Sequence, residues 1–233
     1  MKVLVFDVWG EFGHFRKHYT TTSPLTYSFP PRTAIAGLIG AITGLGKEEY
    51  LQYFSKDEAS IAVKIINPVK KTRIAENLID TKIAPMMSRI KTRTQIRFEV
   101  LKDAKYRIYI SHTSDELYNK LHQLLQEHKS VYTICLGLSE HIANFEFLGE
   151  MEAIRDETDS QVLIDSVIVE KEVLKIDFEE GKEYFSETIP VEMDSCREVQ
   201  EYGKIMFERN AKKIHASVKN LWRLENGECI VFM

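Results

Sequence analysis

Along this chain the spacing of apolar positions changes several times, and each change marks an element. Lys2 to Trp9 is apolar on both faces, which predicts a strand in the middle of a sheet. Gly10 to Phe29 loses that pattern and reads as a long loop. Pro30 and Pro31 then open a helix in the position where a first turn tolerates proline. At about 100° per residue, Ile35, Leu38, Ile39 and Ile42 share one face of that helix, and Thr33, Gly37, Gly40 and Gly44 share the opposite face. Gly44 and Gly46 end it, and Lys47 to Phe54 continues as a short helix. Ser60 to Val69 alternates as a second strand. Gln95 to Leu101 and Tyr106 to Ser111 read as two strands joined by a hairpin turn at Lys102 to Lys105. Thr113 and Glu116 have capping-box spacing for a helix whose Leu117, Leu121, Leu124 and Leu125 form a stripe, and Asn144 to Met151 supplies another strand.

The order is β-α-β, a basic excursion, then β-β-α-β, which is close to the ferredoxin-like split βαβ pattern and predicts an α+β fold. Residues 1–152 form that domain, with the excursion inserted at about 70–94. Residues 153–233 form a smaller, acidic, β-rich part with strand-like runs at Gln161 to Phe178, Tyr184 to Val191 and Ile214 to Met233. A chain of 233 residues suffices for one sizeable core with such an appendage.

Charge separates the same two regions. Between Ile61 and Ile110 twelve Lys or Arg residues face four acids, whereas between Glu140 and Gly203 nineteen acids face five bases. A basic segment of that density is an electrostatic footprint for a polyanion, or else a solvated face; the acidic part suits solvent or a protein partner. The excursion from Lys70 to Thr94 has no clean period, carries Pro85-Met86-Met87 at its centre, and reads as a protruding loop or hairpin.

Other chemistries are excluded by spacing. Cys135, Cys196 and Cys229 are odd in number and far apart, which fits neither a disulfide framework nor a zinc site, and the seven histidines show no metal-ligand pairing. No metal and no cofactor is expected. A phosphate-binding loop ending at Gly46-Lys47 would need glycine and a hydroxyl where the chain has Ala41 and Glu48. The longest apolar run, Ala34 to Gly46, falls short of the roughly 17–25 residues that span a bilayer, and Met1 to Trp9 is too short for a secretory signal. A cytoplasmic protein without a membrane partner is the expectation.

The candidate binding chemistry sits between His14 and Gly46. Arg16, Lys17, Tyr19, Thr20, Thr21, Thr22, Ser23 and Tyr27, with Arg32 and Thr33 at the helix start, are the donors that grip phosphates and sugars, and interleaved aromatics can stack on bases. The three glycines Gly37, Gly40 and Gly44 cost about 1 kcal/mol each against alanine in a helix interior. Something approaches that face closely: an RNA backbone, a neighbouring subunit, or the protein's own core.

These residues also carry a resemblance. Phe15-Arg16-Lys17, Tyr19 to Tyr27, Phe29-Pro-Pro-Arg-Thr33 and Gly37-Leu-Ile-Gly40, with Thr94 to Leu101 and Tyr106 to Tyr109, resemble CRISPR-associated (Cas) protein family 5 in its type I-B form. The resemblance covers most of residues 1–150. It implies an RRM-like, RAMP-type RNA-binding subunit of the Cascade antiviral surveillance complex. Such a subunit holds the 5′ handle of the guide crRNA and caps the filament of backbone subunits (Cas family 7). It also contacts the large subunit (Cas family 8) that reads target DNA. The family projects a basic thumb, which here corresponds to the excursion, with Arg89, Lys91 and Arg93 on phosphate and Met86 or Met87 as an apolar wedge.

The same superfamily includes metal-independent endoribonucleases, whose cleavage needs a base for the 2′-OH proton and a cation for the developing charge. His14, Lys17, His18 and Tyr19 are the residues that would do this here. Non-catalytic binding is the preferred reading, because clustered donors are needed for grip in either case.

Overall fold

A computed structural model describes residues 1–20, 22–79, 93–157 and 160–233. In it the N-terminal apolar run forms β1 (Lys2–Gly13), paired antiparallel on both sides, with β4 (Arg93–His112) and with β5 (Asn144–Asp156). That explains why both its faces are apolar: Leu4, Phe6 and Val8 point into one buried cluster, and Val3 and Val5 into another on the reverse side. With β2 (Ala59–Ile65), β12 (Leu221–Leu224) and β13 (Cys229–Ile230), the sheet order is β13-β12-β5-β1-β4-β2. Two smaller sheets complete a mixed α/β molecule that is mostly antiparallel. One joins β7 (Ile168–Val169), β10 (Val199–Glu208) and β9 (Tyr184–Met193); the other joins β6 (Val162–Ile164), β11 (Ile214–Val218) and β8 (Val173–Asp177).

The helix α1 (Arg32–Thr43) follows Pro31 at its N-cap and stops at Gly44, whose φ of 81° lies in the left-handed region that glycine adopts freely. Its stripe of Ile35, Leu38, Ile39 and Ile42 is buried in the main cluster, each isoleucine contributing about 1.5–3 kcal/mol relative to exposure. A short helix, α2 (Tyr50–Tyr53), packs beside it. The helix α3 (Asp115–Gln126) buries Leu117, Leu121 and Leu125 and leaves Leu124 half-buried. Its cap is Ser114, whose hydroxyl accepts from Leu117 N–H, while Thr113 turns its hydroxyl to Glu58; the N-cap lies one residue beyond the expected Thr113, and with Leu117 at the third helical position the expected box with Glu116 does not form.

Several other boundaries differ from the sequence pattern. β1 runs on to Gly13, into what read as loop. Lys102 to Lys105 is no turn: β4 passes straight through, with Asp103 kinked at φ 53° and its carbonyl held by Asn67 Nδ2 at 2.8 Å. The strand β10 has no counterpart among the expected elements. The basic excursion resolves, over its described part, into a hairpin arm. β3 (Lys70–Ile79) pairs with the first half of β4, from Lys70 opposite Lys102 to Ile79 opposite Arg93.

On the reverse face of the sheet, several basic residues are consumed internally. Asp7 and Glu228 are both buried; Arg107 reaches Asp7 at 2.8 Å and Glu228 at 3.0 Å. Lys64 bridges Glu228 at 2.6 Å and Asp165 at 2.8 Å, and Tyr109 donates to Glu228 at 3.0 Å. Lys105 pairs with Asp7 at 3.1 Å. The acids Asp165 and Glu228 belong to the C-terminal part, so this network ties it to the sheet.

Candidate nucleic-acid interface

The segment from His14 to Phe29 is a small, heavily bonded hairpin. Tyr27 N–H donates to Phe15 C=O and Lys17 N–H to Leu25 C=O, both at 2.8 Å. Thr26 is fully buried and accepts from Phe15 N–H at 2.9 Å. Thr20, also buried, gives its hydroxyl to Lys17 C=O at 2.8 Å. Beneath the hairpin lies Glu187 of β9: its carboxylate takes the Lys17 ammonium at 3.0 Å, Ser28 N–H at 2.9 Å and the Ser28 hydroxyl at 3.1 Å. Burial alone would lower the Lys17 ammonium, but the bond to Glu187 outweighs it and holds the pKa above its ordinary value. Tyr27 is buried too, and burial pushes its phenol up to about 12. What the hairpin leaves outside is Arg16, His18, Tyr19, Thr22 and Ser23, with the Arg16 guanidinium donating to its own Thr20 C=O at 2.8 Å.

Arg32 does not sit where a phosphate could reach it. It is almost wholly buried and donates to Phe54 C=O at 2.6 Å, Ser55 C=O at 2.9 Å, Ala59 C=O at 2.6 Å and Val191 C=O at 3.4 Å. Burial pulls its guanidinium down to about 10, so it remains charged at neutral pH, balanced by carbonyl dipoles. Thr33 is buried as well. The start of α1 faces the interior rather than offering an open, ligand-gripping end.

The glycine face meets the protein's own side chains. A Cβ on Gly40 would stand 3.0 Å from Tyr50 Cβ, one on Gly37 3.6 Å from the Tyr50 ring, and one on Gly44 3.0 Å from Val131. Tyr50 therefore occupies the close approach that the glycines permit. Alongside it an open groove of about 580 Å³ is lined by Gly37, Ala41, Tyr50, Tyr132 and Arg197, among others.

The four residues considered for cleavage are divided. His14 is buried, its Nδ1 2.7 Å from Glu99 C=O, its Nε2 without a partner among the described residues, and its ring edge-on to Phe98; burial lowers its pKa. Lys17 is spent on Glu187. His18 and Tyr19 are at the surface, their rings 5.2 Å apart. Gly137 fixes His14 in place: at φ 92° it passes so close that a Cβ would collide with the His14 carbonyl.

The arm is the opposite case. Lys70, Arg73, Arg93, Arg97 and Lys102 are exposed and have no carboxylate partner among the described residues. Lys71, at its base, is drawn inward to Thr26 C=O at 2.8 Å and Glu99 at 3.3 Å. Thr21, Met86, Met87, Arg89 and Lys91 lie outside the described residues.

A family model described as CRISPR-associated protein (Cas_Cas5) matches residues 3–208. The chain belongs to this family. Its fold is similar to that of a CRISPR protein from Archaeoglobus fulgidus, with a TM-score of 0.58 at 14% identity over 100% of this chain and 99% of that one. It is likewise similar to a chain of a CRISPR RNA-guided surveillance complex, with a TM-score of 0.57 at 13% identity over 91% of each. At such identities the likeness is one of fold. No curated protein matches the sequence. Among the described residues of this family 5 chain, no helix is long and apolar enough to cross a membrane, and no group of three His, Cys, Asp or Glu is placed to hold a metal.

Sequence reasoning missed three residues that shape the interface of this family 5 member. Glu187 organises the hairpin, Tyr50 covers the glycines, and Tyr202 of β10 packs tilted against His18 with ring centroids 4.9 Å apart. Glu187 and Tyr202 act on a segment far from them in sequence, and Tyr50 meets the glycines only once the chain turns back after α1, so no periodic pattern announces them.

Proposed function

We propose that this chain is a non-catalytic RNA-binding subunit of a type I CRISPR surveillance complex, in the I-B form. In this reading it holds the 5′ handle of the guide crRNA and caps the filament of family 7 backbone subunits beside the family 8 large subunit. The observation that carries the proposal is the hairpin arm, whose five exposed cations make no ion pair among the described residues. Unpaired cations along a projecting β-ribbon are the arrangement that tracks a phosphate backbone. Membership of the family and the likeness to a chain of an RNA-guided surveillance complex support the same reading.

The finer fold assignment belongs to this proposal. The strand order β5-β1-β4-β2, with α1 and the short α2 between β1 and β2 and α3 between β4 and β5, supports a ferredoxin-like RAMP unit over residues 1–152. Residues 153–233 then form the acidic β-rich part, whose β12 and β13 extend the main sheet. Burial of His14 and engagement of Lys17 by Glu187 favour grip over cleavage.

The test is binding of single-stranded repeat RNA to the full chain in the presence of chelator. About five phosphate contacts should give a log-affinity slope near −3.5 against log salt, and the RNA should stay intact. A flat salt response, or cleavage abolished by His14→Ala, would sink the proposal.

A further inference from the structure

At the exposed tip of the first hairpin three aromatic rings gather with no core to fill. Tyr19 is 62% exposed and Tyr202 43% exposed. Between them lies His18, whose ring centroid is 5.2 Å from Tyr19, edge-on at 89°, and 4.9 Å from Tyr202, tilted at 46°. The imidazole is fixed from below, its Nδ1 3.2 Å from the Tyr27 hydroxyl. Tyr202 reaches this place from β10, in the acidic part of the chain, so basic patterning gives no reason for it to be there.

We infer that His18, Tyr19 and Tyr202 form a stacking platform for one unpaired base of the bound RNA. This deepens the proposed RNA-binding function and rests on it. Two exposed phenol rings held against a fixed imidazole offer flat faces in water, and every base has a π-face that such a surface accepts without regard to sequence. The groups beside the platform suit a nucleotide better than a protein loop. Arg16, exposed, uses one guanidinium nitrogen on its own backbone and keeps others for a phosphate. The nearby acid Glu187 is already neutralised by Lys17 and hydrogen-bonded by Ser28.

The experiment uses the full chain and an oligouridylate of about 12 nucleotides carrying a single 2-aminopurine, within the site sizes of single-strand binders. The expected result is a fluorescence change on binding that is lost in Tyr202→Leu and in Tyr19→Leu. Affinity should fall about 5- to 100-fold. The salt slope should stay unchanged, because stacking releases no counterions. Tyr202→Phe should bind like the parent. Tyr19 is exposed enough that its replacement leaves folding intact, and thermal melts check Tyr202→Leu. If the parent binds RNA with a normal salt slope and both leucine variants bind equally well, the platform is overturned and the RNA-binding proposal stands. If Tyr202→Phe loses as much as Tyr202→Leu, the contact is through the hydroxyl and stacking is overturned. A parent chain that binds no RNA at any salt concentration overturns both.

Discussion

The hairpin between β1 and α1 carries two cations, Arg16 and Lys17, and the described part of the arm built from β3 and β4 carries six, and the protein uses the two sets in different ways. In the first, Lys17 is held by Glu187 and nearby Arg32 by four backbone carbonyls. The base of the basic segment behaves the same way: Lys64, Lys105 and Arg107 serve buried acids under the sheet, and Lys71 is drawn toward Glu99. Along the arm, Lys70, Arg73, Arg93, Arg97 and Lys102 stay exposed without such partners among the described residues. Charge density along a sequence therefore overstates the charge a partner can reach; among the described residues of these regions, the arm and the exposed tip at Arg16 keep theirs open to solvent.

The comparison breaks most sharply at Arg32. Arg32→Ala removes a buried donor and leaves up to four carbonyls without it, so it should cost at least about 3 kcal/mol of stability, read as a lowered urea midpoint. An Arg32→Ala protein that melts normally but fails to bind RNA would return that residue to the ligand side. Glu187→Gln is the next test. It keeps the shape but weakens the charge-assisted bonds to Lys17 and Ser28, at an expected cost of about 1–2 kcal/mol. It also frees a cation beside the exposed tip, so RNA affinity should rise. A stability loss with no gain in affinity would mean that Lys17 stays out of reach even when released.

Acid should expose the internal half of the comparison by titration. Burial pushes Glu228 up, but the hydrogen bonds from Lys64 and Asn226 and the charges of Lys64 and Arg107 outweigh it, leaving the carboxyl below its ordinary 4.5. A depressed folded-state value means that the stabilisation is present above 4.5 and is lost as pH falls through that value toward the folded one. Chemical denaturation at successive pH values should show that decline, and Glu228→Gln should flatten it. An unchanged profile in Glu228→Gln would assign the acid sensitivity to other carboxylates.

What the sequence disclosed follows from how far each feature reaches. The two-sided apolar pattern of Lys2 to Trp9 and the stripe Ile35, Leu38, Ile39, Ile42 are local, and the central strand and docked helix appear where expected. The protrusion was legible as charge without period. Lys102-Asp103-Ala104-Lys105 has turn chemistry, and only its continuous pairing with β1 makes it a kinked strand instead. Arg32 looked like a donor at an open helix end because nothing nearby shows that residues around 54, 59 and 191 close over it. Glu187, Tyr50, Val131 and Tyr202 were silent for the same reason: their partners are set by tertiary packing.

The arm should respond least in stability and most selectively in binding. Arg73→Gln with Arg97→Gln removes two exposed side chains without ion-pair partners among the described residues, so the melting behaviour should change by no more than about 0.5 kcal/mol. If both guanidinium groups contact phosphate, the salt slope for single-stranded RNA should shrink by about 0.7 per residue, or about 1.4 for the pair. Affinity should fall alike for RNAs of different sequence, because backbone contacts carry no base information. A loss confined to one sequence would instead place these arginines on base edges. An unchanged slope would move the footprint off the arm and onto the hairpin tip, reversing the contrast between the two regions.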